Sequence, residues 1–218
     1  MTRHDVAVIV DIVRSRDASD RAAAQRAVHE AFDAAAETIP TVRPLWSTAG
    51  DEFQVVLPSV AAATLTTTLV QFLLPAGVRC RFGVGLGEIH YVESNAARVV
   101  QDGSAWWSAR AAIEEAHHRE SKAQPFLRTW LVAANEEFDS GMSAADVTMA
   151  NAFFLLRDHM IAKMGERERR ITGRAMQSVP QVEIAAHEQI SQSAVSQSLR
   201  RSGGSALIAA QHALLESL

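Results

Sequence analysis

Residues 5–13, Asp-Val-Ala-Val-Ile-Val-Asp-Ile-Val, constrain the fold more than any other stretch of this chain. They are apolar almost throughout and rich in β-branched side chains, as in a strand covered on both faces. Such a strand belongs inside a sheet with other layers around it. One charged residue, Asp11, stands near the end of the run. A carboxylate is costly to bury alone, so Asp11 is either a functional group or the ion-pair partner of a neighbour such as Arg14 or Arg16.

The segments that follow alternate in type. Residues 19–38 carry Ala24, Val28, Phe32 and Ala35 at helical spacing, and Pro40 ends that helix. Short strands are predicted at 42–47 and 53–57, joined through Thr48-Ala-Gly-Asp-Glu52, where Gly50 can take the positive φ of a tight hairpin. A second helix covers 60–74 and stops at Pro75 and Gly77. Residues 79–92 read as one strand in which Gly83, Gly85 and Gly87 alternate with Phe82, Val84 and Leu86. Lacking a Gly-Lys-Ser/Thr ending, this series is no phosphate loop; close approach of a helix to the sheet explains it better. A turn at Asp102-Gly103, a helix over 105–119 and a strand over 126–132 complete the order β-α-β-β-α-β-α-β. The expected fold class is α+β, with helices on one face of the sheet.

Composition narrows the function. The 218 residues, 48% hydrophobic and 21% charged, suit one large domain or two small ones and exclude a disordered chain. The runs at 6–10 and 59–74 are too short or too polar to span a bilayer, and Met1-Thr-Arg-His-Asp5 enters the first strand without a secretory leader, so no membrane partner and a cytoplasmic location are expected. A single cysteine, Cys80, rules out an internal disulfide and any multi-cysteine zinc site. Residues 157–201 hold eight Lys and Arg against five Asp and Glu, whereas residues 1–156 carry a net −6, which suggests two modules with different partners.

If the first strand and the hairpin strands are neighbours, Asp11 and Asp51 converge at one edge of the sheet. Paired carboxylates with a backbone carbonyl suit a hard cation such as Mg²⁺ or Mn²⁺, and the amides of residues 13–15 could cradle phosphates. The segments Val10-Asp-Ile-Val-Arg-Ser15, Ala49-Gly-Asp-Glu-Phe53 and Arg81-Phe-Gly-Val-Gly-Leu-Gly-Glu-Ile89 resemble the palm domain of class III nucleotide cyclases and GGDEF proteins. The resemblance implies a ferredoxin-like palm sheet, metal ligation by Asp11 and Asp51 with the Ile12 carbonyl, and a nucleotide site that includes Arg14, Ser15 and Arg110. The stretch Asp102-Gly-Ser-Ala-Trp-Trp-Ser-Ala-Arg-Ala-Ala112 matches the cyclase segment that ends in an arginine, here Arg110.

Departures from that pattern favour binding over turnover. Trp106 stands where cyclases place an asparagine, no purine-selecting lysine–acid pair is evident, and Ala49 replaces the first glycine of the hairpin motif. Trp106 and Trp107 are read as core before base-stacking groups. His117 and His118, about 100° apart on a helix, cannot chelate together.

From residue 143 the chain reads as helical, over 144–164 and 166–177, with Phe153, Leu156, Met160, Ile171 and Met176 as core. Residues 181–201 then form two short helices around a tight turn. Ala185 provides the small contact at their crossing, and Ile184, Ile190, Val195 and Leu199 the apolar seam. Gln189 must take a left-handed conformation usually given to glycine, and Glu188 stands where a leucine is usual. The pair resembles the helix-turn-helix of bacterial repressors and of sigma-factor-like DNA-binding domains. That resemblance makes Ser191, Gln192, Ser193, Ser196, Gln197, Arg200 and Arg201 the DNA-binding set, with Ser191 as N-cap and the arginines near phosphates. A final helix over 206–218 offers Leu207, Ile208, Leu214, Leu215 and Leu218 on one side.

Taken whole, the chain resembles the SatD family, with a palm domain at 1–134 and a helical domain at 135–218. The expected function is a DNA-binding transcriptional regulator, dimeric because one short helix contacts few bases, whose front domain senses a nucleotide or metal or serves as dimer scaffold. The alternative is a divergent, Mg²⁺-dependent nucleotidyl cyclase or nucleotide-processing enzyme.

Overall fold

The computed structural model describes residues 5–14, 20–48, 50–92, 100–134 and 142–218. The first apolar run becomes β1 (Val6–Ile12), followed in chain order by α1 (Arg21–Ala36), β2 (Arg43–Ser47), β3 (Glu52–Leu57), α2 (Val60–Leu73), β4 (Cys80–Leu86), β5 (His90–Val92), β6 (Val100–Asp102), α3 (Ser104–Ser121) and β7 (Thr129–Ala133). Helices α4 (Ala144–Lys163), α5 (Glu166–Met176), α6 (Gln181–Glu188), α7 (Gln192–Ser202) and α8 (Gly204–Leu215) complete it. The protein is α+β. Its main sheet has the order β2-β3-β1-β4-β7, with β1 antiparallel to β3 and β4, and β4 parallel to β7.

Helices cover both faces of this sheet, not one as the element order suggested. The even residues Val6, Val8, Val10 and Ile12 enter a core with Val28 and Phe32 of α1 and Leu65 and Leu69 of α2. The odd residues Ala7 and Ile9 meet Ala105, Trp106, Ala109 and Ile113 of α3. The doubly apolar character of β1 thus reports its two covers directly. Trp106 is core and Trp107 is exposed.

The glycines of β4 bring α3 close. A Cβ on Gly83 would lie 2.3 Å from the Ala109 carbonyl oxygen, and one on Gly85 2.1 Å from that of Ala105. Both clashes are with backbone, so no side chain fits. The expected single strand over 79–92 is divided: β4 ends at Leu86, Gly87 turns with φ 152°, and β5 pairs with β6 instead.

β7 is an edge strand, and α4 closes its open side. The Asn151 side chain accepts from the Leu131 amide and donates to the Leu131 carbonyl, both at 2.8 Å, as a neighbouring strand would. Two turns on, Asp158 Oδ2 accepts from the Arg128 and Thr129 amides at 2.8 Å. Its other oxygen takes hydrogen bonds from Gln71 of α2 and from the fully buried Arg157, whose guanidinium also donates to Thr67, Thr68 and Thr129. The buried stripe of α4 is therefore largely polar. Leu156, expected in the core, is 68% exposed, because the side of α4 that meets the sheet runs through Asn151, Phe154, Arg157, Asp158 and Ile161.

The rear helices share a core with the sheet. Phe154, Ile161, Met164, Met176 and Leu207 pack into the cluster that includes Leu69 and Phe72 of α2. A second cluster, Ile171, Ile184, Ala185, Val195 and Leu199, joins α5, α6 and α7. α8 ends at Leu215; Leu207, Ile208 and Leu214 pack inward, whereas Leu215 and Leu218 are exposed.

Candidate functional site

Register places the first carboxylates together. Asp11 of β1 lies directly opposite Glu52 of β3 on one side and Arg81 of β4 on the other, so all three side chains share the α3 face. Arg81 is the same-face predecessor of Gly83 and Gly85: where glycine lets α3 touch the sheet, the last turn of α3 leaves room for a guanidinium. Arg81 donates to Asp11 Oδ2 at 2.7 Å and to Glu120 of α3 at 2.5 Å. Glu120 also receives Arg128, at 2.9 Å.

The hairpin adds a second acidic pair. Gly50 takes φ 66°, as expected, and the Gln25 amide of α1 donates to its carbonyl at 2.9 Å. Arg21, in the first turn of α1, pairs with Asp51 at 2.5 Å. Arg110 of α3 donates through both terminal nitrogens to Glu52, each at 2.7 Å, a bidentate geometry that holds its proton more firmly than usual.

Asp11 is altered by its surroundings. Burial raises its pKa above the ordinary carboxylate value; Arg81, by charge and hydrogen bond, pulls it back, His117 helps, and nearby Asp51 pushes it up again. The two aspartates are thus within electrostatic reach of each other. The Val13 amide, expected in a phosphate cradle, instead donates to the Arg79 carbonyl at 2.8 Å. Arg14 is exposed with φ 54°, and Ser15 lies outside the described residues. Ile12 is 5% exposed, its side chain in the core.

Sequence reasoning missed Glu52, Arg81 and Arg21 as members of this group. Strand register would have found the first two, since pairing β1 with its neighbours puts them beside Asp11. The Arg21 contact depends on where α1 begins relative to the hairpin, which no local pattern encodes.

The second candidate is the α6–α7 pair. Pro180 precedes α6, and Gln189 takes φ 55° and ψ 45°, the left-handed turn foreseen. Ser191 caps α7, accepting from the Ala194 amide. Val195 and Leu199 are sealed against α5 and α6, while Gln192, Ser193, Gln197, Arg200 and Arg201 are exposed and Ser196 is half-buried. Glu188 is explained by its partner: Arg170 of α5 donates to both of its oxygens, at 2.9 and 2.8 Å, and holds its pKa below the usual value. Arg200 leans on Ser196 at 2.8 Å, and Arg201 is drawn toward Glu168 at 3.4 Å.

Among the described residues no group of three His, Cys, Asp or Glu side chains is placed to hold a metal ion, and no helix is long and apolar enough to cross a membrane. The donor set at the hairpin offers two aspartates, the right chemistry for a hard cation, but Asp11 already holds Arg81 and Asp51 holds Arg21. The residues fit a divalent cation only if Arg21, half-exposed on α1, swings away and Asp11 is released from the buried Arg81.

The fold and these two sites define an α+β protein with a mixed five-stranded sheet, an acidic and arginine-rich hairpin corner, and a helical half that displays α7. The family model of the SatD family matches residues 5–213, and the chain belongs to that family. No curated protein matches it.

Proposed function

We propose that this protein is a DNA-binding transcriptional regulator in which α6 and α7 act as a helix-turn-helix and α7 as the recognition helix. One observation carries the reading: α7 buries Val195 and Leu199 and leaves Gln192, Ser193 and Gln197 facing outward, uncovered by the other described residues. Side-chain amides and hydroxyls are suited to base edges, and Arg200 at the end of α7 to a phosphate. Ser191 would add a phosphate contact beside its cap. Two copies would be needed to span a full site, which makes the acting species a homodimer.

In this reading the sheet half is a nucleotide-cyclase-like palm that binds a nucleotide, with Mg²⁺ or Mn²⁺ at Asp11 and Asp51, or serves as the dimer scaffold. A bound cation would bring charge neutralisation for phosphates; Arg14 and Arg110 are the chain's own groups for holding them. The test is selection of preferred duplexes from a random library by the purified protein. Binding should weaken steeply with salt, and Gln192→Ala or Gln197→Ala should lose about 1–3 kcal/mol of base discrimination with little loss of nonspecific affinity. Absence of duplex binding at low salt would end this reading.

The acidic corner of Asp11 and Glu52, with Asp51 next to it in the hairpin, favours a second one, a divergent nucleotide-processing enzyme. It requires consumption of a nucleoside triphosphate with Mg²⁺ or Mn²⁺, abolished in Asp11→Asn and Asp51→Asn.

A further inference from the structure

Between the sheet and the rear helices lies a groove of about 610 Å³, lined by the end of α2, the turn into β4, and the joint between α4 and α5. Arg79, Arg128 and Arg169 all line it, from three segments far apart in sequence. Arg128 is answered by Glu120, but Arg79 and Arg169 pair with no carboxylate among the described residues. Arg169 is nonetheless fixed in place. Its guanidinium donates to the Gln71 carbonyl and, at 3.3 Å, to that of Ile161, and stacks 5.7 Å from the Phe72 ring.

The arrangement is electrostatically unfavourable as it stands. Arg79 lies near enough to raise the cost of charging both Arg128 and Arg169, each of which burial already disfavours. The carboxylates of the lining relieve it only in part: Asp158 eases Arg128 but is fully buried and committed to Arg157, and Glu166 acts on Arg170, which is itself held by Glu188. Surplus positive charge converging on a concave surface is what a phosphate recognises, through planar N–H forks that match its oxygens. The remaining walls, Phe72, Leu74, Phe126 and Met164, are apolar, and the volume is that of a small-molecule site.

We propose that this groove binds a phosphate-bearing small molecule, its phosphate held between Arg79 and Arg169 and its body against the apolar wall. The site is separate from the Asp11–Asp51 corner and stands whether or not α7 reads DNA.

The experiment measures pyrophosphate binding to the full chain by titration calorimetry, at an ionic strength held constant with chloride. Binding is expected, with Kd rising at least tenfold in Arg79→Gln and in Arg169→Lys, the latter keeping a cation near the carbonyls so that the fold survives. Asp11→Asn and the pair Gln192→Ala/Gln197→Ala should bind as the wild type does. No measurable pyrophosphate binding, binding that Arg79→Gln and Arg169→Lys leave unchanged, or binding lost in Asp11→Asn would each overturn the assignment.

Discussion

Arg81 and Arg79 are two residues apart and sit in opposite electrostatic settings. Arg81 bridges Asp11 and Glu120, in a corner where Arg21 also meets Asp51 and Arg110 meets Glu52. Arg79 faces a groove where the neighbouring charges are Arg128 and Arg169. In the first setting each cation is answered by the fold, so removing it should unbalance the native state. In the second the charge is uncompensated, so removing it should leave stability alone and cost only what the charge is kept for. Paired charge reports on structure, surplus charge on a ligand.

The extreme of the paired class is Arg157–Asp158, both fully buried. Asp158→Ala strands a buried guanidinium and frees two amides on the edge of β7, so a loss of about 3–5 kcal/mol is expected in urea unfolding. A loss below about 1 kcal/mol would mean that pairing is not what holds these groups. Next comes Arg81→Met, which leaves Asp11 without its ion-pair partner and Glu120 with Arg128 alone. About 2 kcal/mol is expected from the lost charge-assisted hydrogen bonds, reduced because Asp11 is partly in water.

Asp11 also gives that variant a sign. Its folded pKa already lies above the ordinary value, so any stability it contributes is greatest while it is protonated and declines as pH rises through the folded value. Without Arg81 the shift should grow. Carboxyl NMR titration of the two proteins checks this, and a lower value in Arg81→Met would contradict the pairing.

Glu188 should behave in the opposite sense. Arg170 holds its pKa below the ordinary 4.5, so its contribution is full above that value and fades as pH falls through the lower folded one. Wild type and Glu188→Gln should therefore differ in stability near neutral pH and converge in acid, as read by thermal unfolding across pH. A constant difference would assign the effect to packing. The smallest stability change belongs to Arg79→Gln, expected within about 0.5 kcal/mol of the wild type. A larger loss would place Arg79 in the paired class and remove the contrast.

Much of the fold was legible because its signals are local. The spacing of Val28, Phe32 and Ala35, the stops at Pro75 and Gly77, and the Ser191 cap depend only on near neighbours. The glycines of β4 could be read as a helix contact, since few other causes alternate Gly83 with Gly85 inside an apolar strand. The inner side of α4 was not legible. Its partners are the backbone groups of β7, which carry no residue identity, so Asn151 and Asp158 look like surface positions and Leu156 looks like core.

The sites divide in the same way. The seam and outward side of α7, and the left-handed turn at Gln189, follow from residues within a single short segment. Strand adjacency alone brings Asp11 to the hairpin, where the residue directly opposite it is Glu52. Which arginine answers which carboxylate was settled by how α1 and α3 lie on the sheet, and the groove of Arg79, Arg128 and Arg169 exists only because three distant segments meet there. Hydrophobic spacing and turn chemistry act over a few residues and can be read in order; electrostatic balance depends on distance through space, and so belongs to the tertiary structure.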